Sequence, residues 1–302
     1  MCSDAWKDDF YRKYFDPNPV MSEQGRLLLW EKRWALTSLC KYFRPDENAL
    51  HSLNEFSNWA SHPIRFQDPT DTKWFTIDPS GWKTDSIQYE LVESFQNHDT
   101  NVDIGNDIAL IRNILRICSY TTSPYLPYLW DMFSQQSEGF CLEYDLCNMD
   151  PQLRSETIKK LYPMIYSQKK PDISYYLSKI KPDGVNYLAS LVSILKSKKY
   201  SQEHEWRMIY LDLSGNAHFA TEEEIDEAFA QRDNPVNPTY FEIYDGSYAE
   251  QMIPSKIYFG EHMSSESKTK LYNQLAKKGI ECREIVQTHY YGALTSRLYS
   301  IE

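Results

Sequence analysis

The sequence predicts an α+β fold, a mostly antiparallel sheet core with flanking helices. Three observations carry that prediction. Short apolar or alternating runs of strand length recur along the chain. Segments with apolar residues at three- and four-residue spacing lie between them. The two kinds interleave without the regular strand–helix–strand spacing of a parallel sheet. With 302 residues and no repeat, low-complexity tract or Gly/Ser linker, the chain has material for one large core. It reads as a polar lead-in over residues 1–21 followed by a single domain over 22–302.

The elements follow in order. Helical spacing starts at 22–34, with Ser22 as its candidate N-cap, and Leu36 to Phe43 is an apolar-rich strand stopped by Pro45. Asp46 caps a helix running to about residue 56 with Leu50 and Leu53 on one face, and 58–66 is a second strand bent at Pro63. After a loop, Ile87, Leu91 and Phe95 mark a helix over 85–97, and 106–113 continues helically. A strand over 114–120, a proline-started helix over 124–136 and a strand over 139–145 come next. An amphipathic helix spans 184–197, a strand spans 205–213, and Thr221 with Glu224 forms a capping box. The tail adds a strand at 256–260, a helix at 265–278 and strands at 280–286 and 289–299.

Composition removes several classes. The 32 Lys and Arg residues against 43 Asp and Glu leave a net charge of −11, which repels phosphate backbones and argues against a dedicated nucleic-acid binder. The lysines at 196, 198, 199, 169 and 170 read as a solvated face. Six scattered cysteines with no C-x-x-C pair point to neither a disulfide framework nor a zinc site, and Cys118 and Cys141 read as small buried hydrophobes. No apolar stretch reaches membrane-spanning length, and the acidic start is unlike a targeting peptide, so a cytoplasmic protein without a membrane is expected. Phosphate-cradling glycine loops, H-E-x-x-H and G-x-S-x-G are all missing, which disfavours kinases, P-loop NTPases, Rossmann dehydrogenases, zincins and α/β-hydrolases; no metal is expected.

Four segments carry the remaining signal: CKYFRP at 40–45, ASHPIRFQDPTD at 60–71, ICSYTTSPYLPYLWDMFSQQSEGFCLEYD at 117–145 and EHEWRMIY at 203–210. Through Lys41, Tyr42, Arg44, Phe66, Asp68, Pro69, Asp71, Ser119, Trp130, Gly139, Cys141, Glu143, Tyr144, Asp145, Glu203, Glu205, Trp206 and Arg207, the chain resembles the bacterial family of unknown function DUF2971 over roughly 38–290. It departs from that pattern at Gln67, at the extra Phe43 and at Phe133. The family carries no assigned activity.

The order of an Arg ending the first strand, a serine in the second and a late E-x-E is similar to the Arg/Ser/Glu arrangement of ADP-ribosyltransferases. That resemblance implies an NAD-consuming transferase or glycohydrolase of toxin or defence type, with NAD as substrate and a protein or nucleic acid as candidate acceptor. In it, Glu205 stabilises an oxocarbenium-like state and Glu203 orients the acceptor. Arg44 grips the pyrophosphate, Ser61 braces the pocket, and Tyr42, Trp59 or Trp130 stacks on nicotinamide. Plainer readings stand beside these. Glu205 also reads as pairing with Arg207 on a wet sheet face, Asp68–Pro69 as a turn and Trp130 as core. Two other functions stay open: a non-catalytic protein- or nucleotide-binding module, and a metal-dependent nuclease using Glu143, Asp145, Glu203 and Glu205.

Overall fold

In a computed structural model of the chain, residues 5–78, 108, 111–177, 184–212, 248–287 and 293–301 are described. The helix read at 85–97 and the Thr221–Glu224 capping box lie outside the described residues, as does part of the helix read at 106–113. Helix α1 (Ala5–Tyr14) and helix α2 (Pro19–Trp34) lead into strand β1 (Ser38–Phe43), helix α3 (Glu47–Glu55) and strand β2 (Ser57–Ala60). Strand β3 (Leu115–Tyr120), helix α4 (Pro127–Met132) and strand β4 (Phe140–Asp145) follow. Then come α5 (Pro151–Lys159), β5 (Leu161–Pro163), β6 (Ile165–Ser167), α6 (Ser174–Leu177), α7 (Gly184–Ser193) and β7 (Leu195–Ser197). A 3₁₀ turn (Lys198–Glu203) enters β8 (Trp206–Leu211), and β9 (Tyr248–Gln251), β10 (Lys256–Phe259), α8 (Ser265–Leu275), β11 (Glu281–Gln287) and β12 (Leu294–Leu298) complete the order.

Five strands form the largest sheet in the order β1-β4-β10-β11-β12, and β3-β8-β5 form a second. The pairs β2-β9 and β6-β7 stand beside them. All described pairings are antiparallel except β10-β11 and β6-β7, so the α+β class holds. Strand periodicity divides the large sheet between two apolar layers. Leu39, Phe140, Leu142, Ile257 and Phe259 face the main core, while the alternating Cys40, Cys141 and Tyr258 face a smaller cluster closed by Trp130 and Ile285. The sheets are tied together where β1 meets the end of β3, through Cys40 and Thr121, and where Ser61 bridges Ile117. Gly139 permits the close approach of β1 and β4, since a Cβ there would sit 2.0 Å from the Phe43 carbonyl oxygen.

Several elements differ from their sequence reading. Residues 5–14 are not a polar lead-in strip but a helix, because Phe10 and the following Phe15 bury their rings in a second core with Leu29, Leu188 and Val192. Helix α2 begins at Pro19 with Asn18, not Ser22, as its cap: the Asn18 side chain accepts from the Val20 N–H at 2.9 Å. The strand read at 58–66 stops at Ala60, and Pro63 opens a 3₁₀ turn instead. The helix read to 197 ends at Ser193, and Leu195–Ser197 becomes β7 by pairing with β6. That last difference moves Lys196 from a surface to the interior.

Candidate active site

Strands β3 and β8 run side by side with Ser119 opposite Arg207, and at this point a cleft of about 470 Å³ opens between the β sheets and α4. Its walls carry Tyr42, Phe66, Tyr128, Phe133 and Tyr200, and its floor is charged. Arg207, 1 % exposed, organises that floor. Its Nη1 and Nη2 donate to Asp71 Oδ1 at 2.7 Å and Oδ2 at 2.6 Å, and its Nε donates to Glu205 Oε1 at 2.7 Å. The Ser193 carbonyl accepts a further bond from Nη1 at 2.7 Å. Only a planar fork serves two carboxylates at once in this way.

Lys196 supplies the second cation. Its Nζ lies 2.6 Å from Glu203 Oε2, 3.0 Å from Glu205 Oε2 and 3.6 Å from Asp71 Oδ2. The two glutamates converge on one ammonium on either side of His204, which ends the 3₁₀ turn in the left-handed region with φ 47°. Ser119 Oγ donates to Glu205 Oε1 at 2.5 Å, and the Glu205 backbone N–H donates to the Tyr166 hydroxyl at 3.0 Å.

Two cations therefore face three buried carboxyls, and a neutral network requires one of the three to keep a proton. Burial would raise Glu205, but Arg207 and Lys196, with hydrogen bonds from Arg207 and Ser119, outweigh it and hold this carboxyl well below its ordinary value. Glu203 takes the opposite direction. Burial, followed by the neighbouring Glu205 charge, pushes it up to about 8 despite Lys196. Lys196 is raised in turn, because Glu205, Asp71 and Glu203 outweigh the burial that would lower it.

The sequence-predicted residues divide into three groups. Glu203, Glu205 and Tyr42 line the cleft. Arg44, Ser61 and Trp59 line a neighbouring cavity, which Tyr42 also borders. Trp130 lines neither: it is 2 % exposed, its ring packs edge-on to Tyr42 at 5.1 Å, and its Nε1 donates to the Pro124 carbonyl at 2.8 Å, so nicotinamide stacking does not fall to it. The Glu205–Arg207 pair exists but is buried, not on a wet sheet face. Lys196 likewise leaves the solvated lysine face assigned to it. Asp68 does make the turn, accepting from Thr70 N–H and Oγ1. Glu143 is engaged on β4 by Lys256 at 2.7 Å and Tyr258 at 2.5 Å, and Asp145 binds Cys147 and Asn148, so these carboxylates do not join Glu203 and Glu205. No group of three or more His, Cys, Asp or Glu suited to a metal occurs among the described residues.

Tyr166 carried no signal of its own in the sequence, and Lys196 stood there only in the lysine group read as a solvated face. Asp71 and Ser119 stood in motifs without a role.

The fold and this floor define an α+β protein with a buried carboxyl–cation network beneath an aromatic cleft. Residues 129–208 match the family described as "Protein of unknown function (DUF2971)". The match covers about a quarter of the chain and takes in Lys196, Glu203, Glu205 and Arg207, whereas Asp71 and Ser119 precede it. No curated protein and no solved structure matches the chain. No helix among the described residues is long and apolar enough to cross a membrane.

Proposed function

We propose that the chain cleaves the nicotinamide–ribose bond of NAD and passes the ADP-ribosyl group to water or another acceptor. The observation that carries this reading is the split of Glu203 and Glu205, two carboxyls on one lysine whose surroundings drive their protonation in opposite directions. A base poised near neutral pH is what acceptor activation needs. In this scheme the C1′–N bond breaks with its electron pair passing to the cationic ring, which leaves as neutral nicotinamide. The acceptor hydroxyl bonds to C1′ and gives its proton to ionised Glu203. The negative charge of Glu203 also faces the positive charge that develops on the sugar. Glu205 acts as a positioning residue: both of its oxygens are occupied by Arg207, Lys196 and Ser119, so it orients Lys196, and through it Glu203. Glu203 thereby keeps the acceptor and also takes the charge-stabilising part that the E-x-E resemblance implies for Glu205. Aromatic rings on the cleft wall offer stacking surface to nicotinamide.

The test is incubation of the full chain with NAD and chromatographic measurement of released nicotinamide. Glu203→Gln should lower the rate by ~10²–10⁴. No release by the wild type, or full release by Glu203→Gln, overturns the proposal.

A further inference from the structure

Beside the cleft lies a second cavity of about 460 Å³. Lys41, Tyr42, Arg65 and Phe133 line both, so the two share a wall. Their charges differ. Among the described residues, the cleft sets Lys41, Arg65, Lys196 and Arg207 against Asp68, Asp71, Glu203 and Glu205. Among the described residues, and leaving Arg65 aside, the second cavity sets Lys41 and Arg44 against Asp46. That carboxylate is already engaged, because Asp46 Oδ1 accepts from the Ala49 N–H at 2.8 Å as the cap of α3. In a chain of net charge −11, a cavity with this balance reverses the local sign and favours an anion.

The same cavity has an aromatic platform. Trp59 sits on β2 between Asn58 and Ala60, which are buried, so strand alternation turns its ring outward, and it stays 40 % exposed. An exposed indole in the same cavity as the exposed Arg44 guanidinium suits a planar base joined to a phosphate. Lys41 stands at the shared wall, where its Nζ donates to Cys118 Sγ at 3.0 Å and lies 5.3 Å from the Tyr120 ring centre.

We propose that this second cavity binds the nucleoside-phosphate half of a dinucleotide, with Trp59 stacked on the base and Arg44 on the phosphate of that half. The bond to be broken then lies across the Lys41 wall, over Glu203. The choice of a dinucleotide rests on the proposed NAD reaction; the anion and base preference rests on the cavity itself. The arrangement assigns Trp59 to the base distant from the reaction rather than to nicotinamide. It also predicts that the two halves bind better joined than apart, since the second contact becomes intramolecular.

Calorimetric titration of the full chain with ADP-ribose, AMP and nicotinamide mononucleotide tests this. The wild type should bind ADP-ribose more tightly than AMP. Trp59→Ala and Arg44→Ala, both at exposed positions, should each weaken ADP-ribose and AMP by about tenfold and leave nicotinamide mononucleotide within about twofold. Thermal melts of the variants verify that each is folded. Unchanged ADP-ribose affinity in both folded variants, equal losses for AMP and nicotinamide mononucleotide, or no ADP-ribose binding by the wild type at millimolar concentration would each overturn the assignment. Nicotinamide release separates the two proposals. Trp59-dependent AMP binding without any release supports the cavity and defeats the NAD reaction, whereas release with a KM indifferent to both substitutions supports the reaction and defeats the cavity.

Discussion

Replacing Glu203 by Gln should change how stability depends on pH more than it changes stability itself. An ordinary Glu loses its proton near 4.5, whereas Glu203 in the fold keeps it to about 8. Between those values the folded chain holds a proton that the unfolded chain has released. This contribution is fully present below the unfolded value, falls as pH rises through the window, and is gone above about 8. The slope approaches ~1.4 kcal/mol per pH unit, and between pH 6 and 8 the loss integrates to about 2 kcal/mol. Glu205 adds no slope there: its folded value is depressed, so its stabilisation is complete above the ordinary carboxylate range and is lost only in acid. The side-chain amide of the Glu203→Gln variant can accept the Lys196 bond that Glu203 Oε2 accepts at 2.6 Å, and it cannot ionise. Urea unfolding of both proteins at pH 6, 7 and 8 should therefore give a difference that moves by about 2 kcal/mol in favour of Glu203→Gln as pH rises. Parallel curves, shifting by less than ~0.5 kcal/mol, would refute the proton assignment and with it the neutral-network explanation.

Other perturbations probe the same floor. Arg207→Met leaves Asp71 and Glu205 buried with Lys196 as their cation and should cost ~3–5 kcal/mol in urea unfolding, while Arg207→Lys should fall between it and the wild type because an ammonium cannot reproduce the fork. If Glu203 is the base, nicotinamide release should climb close to tenfold per pH unit below about 8 and level off above it, and a flat profile from pH 6 to 9 would contradict that role. Tyr166→Phe removes the acceptor of the Glu205 backbone N–H and should destabilise by ~1–3 kcal/mol, read from the same unfolding curves. Gly139→Ala drives a methyl toward the Phe43 carbonyl and should destabilise by ~1–3 kcal/mol, visible as a lowered Tm.

Much of the β framework was legible locally. The runs read at 36–43, 114–120, 139–145, 205–213 and 256–260 meet observed strands within two residues at either end, because alternating or continuous apolar character marks an extended segment whatever its partner. The Asp46 cap was equally local, since an aspartate bonding the N–H three residues on needs only its own turn. Helix α1 was not legible. Its four rings stand among five charged residues, and Phe10 becomes core only where Leu188 and Val192 arrive from far along the chain. Strand β7 follows the same rule: Leu195–Ser197 extends as a helix by periodicity and forms a strand because Ile165–Ser167 is there to pair with it. The site shows this division most clearly. Two glutamates and an arginine at two-residue spacing marked 203–207 as chemically unusual, and their types and order were available without a fold. Their protonation was not, because it depends on Asp71, 136 residues from Arg207 in sequence, and on Lys196 being buried rather than solvated. Composition and spacing give the charges, but the energy of a charge is set by the solvent it loses and the partners it meets, and both are properties of the folded chain.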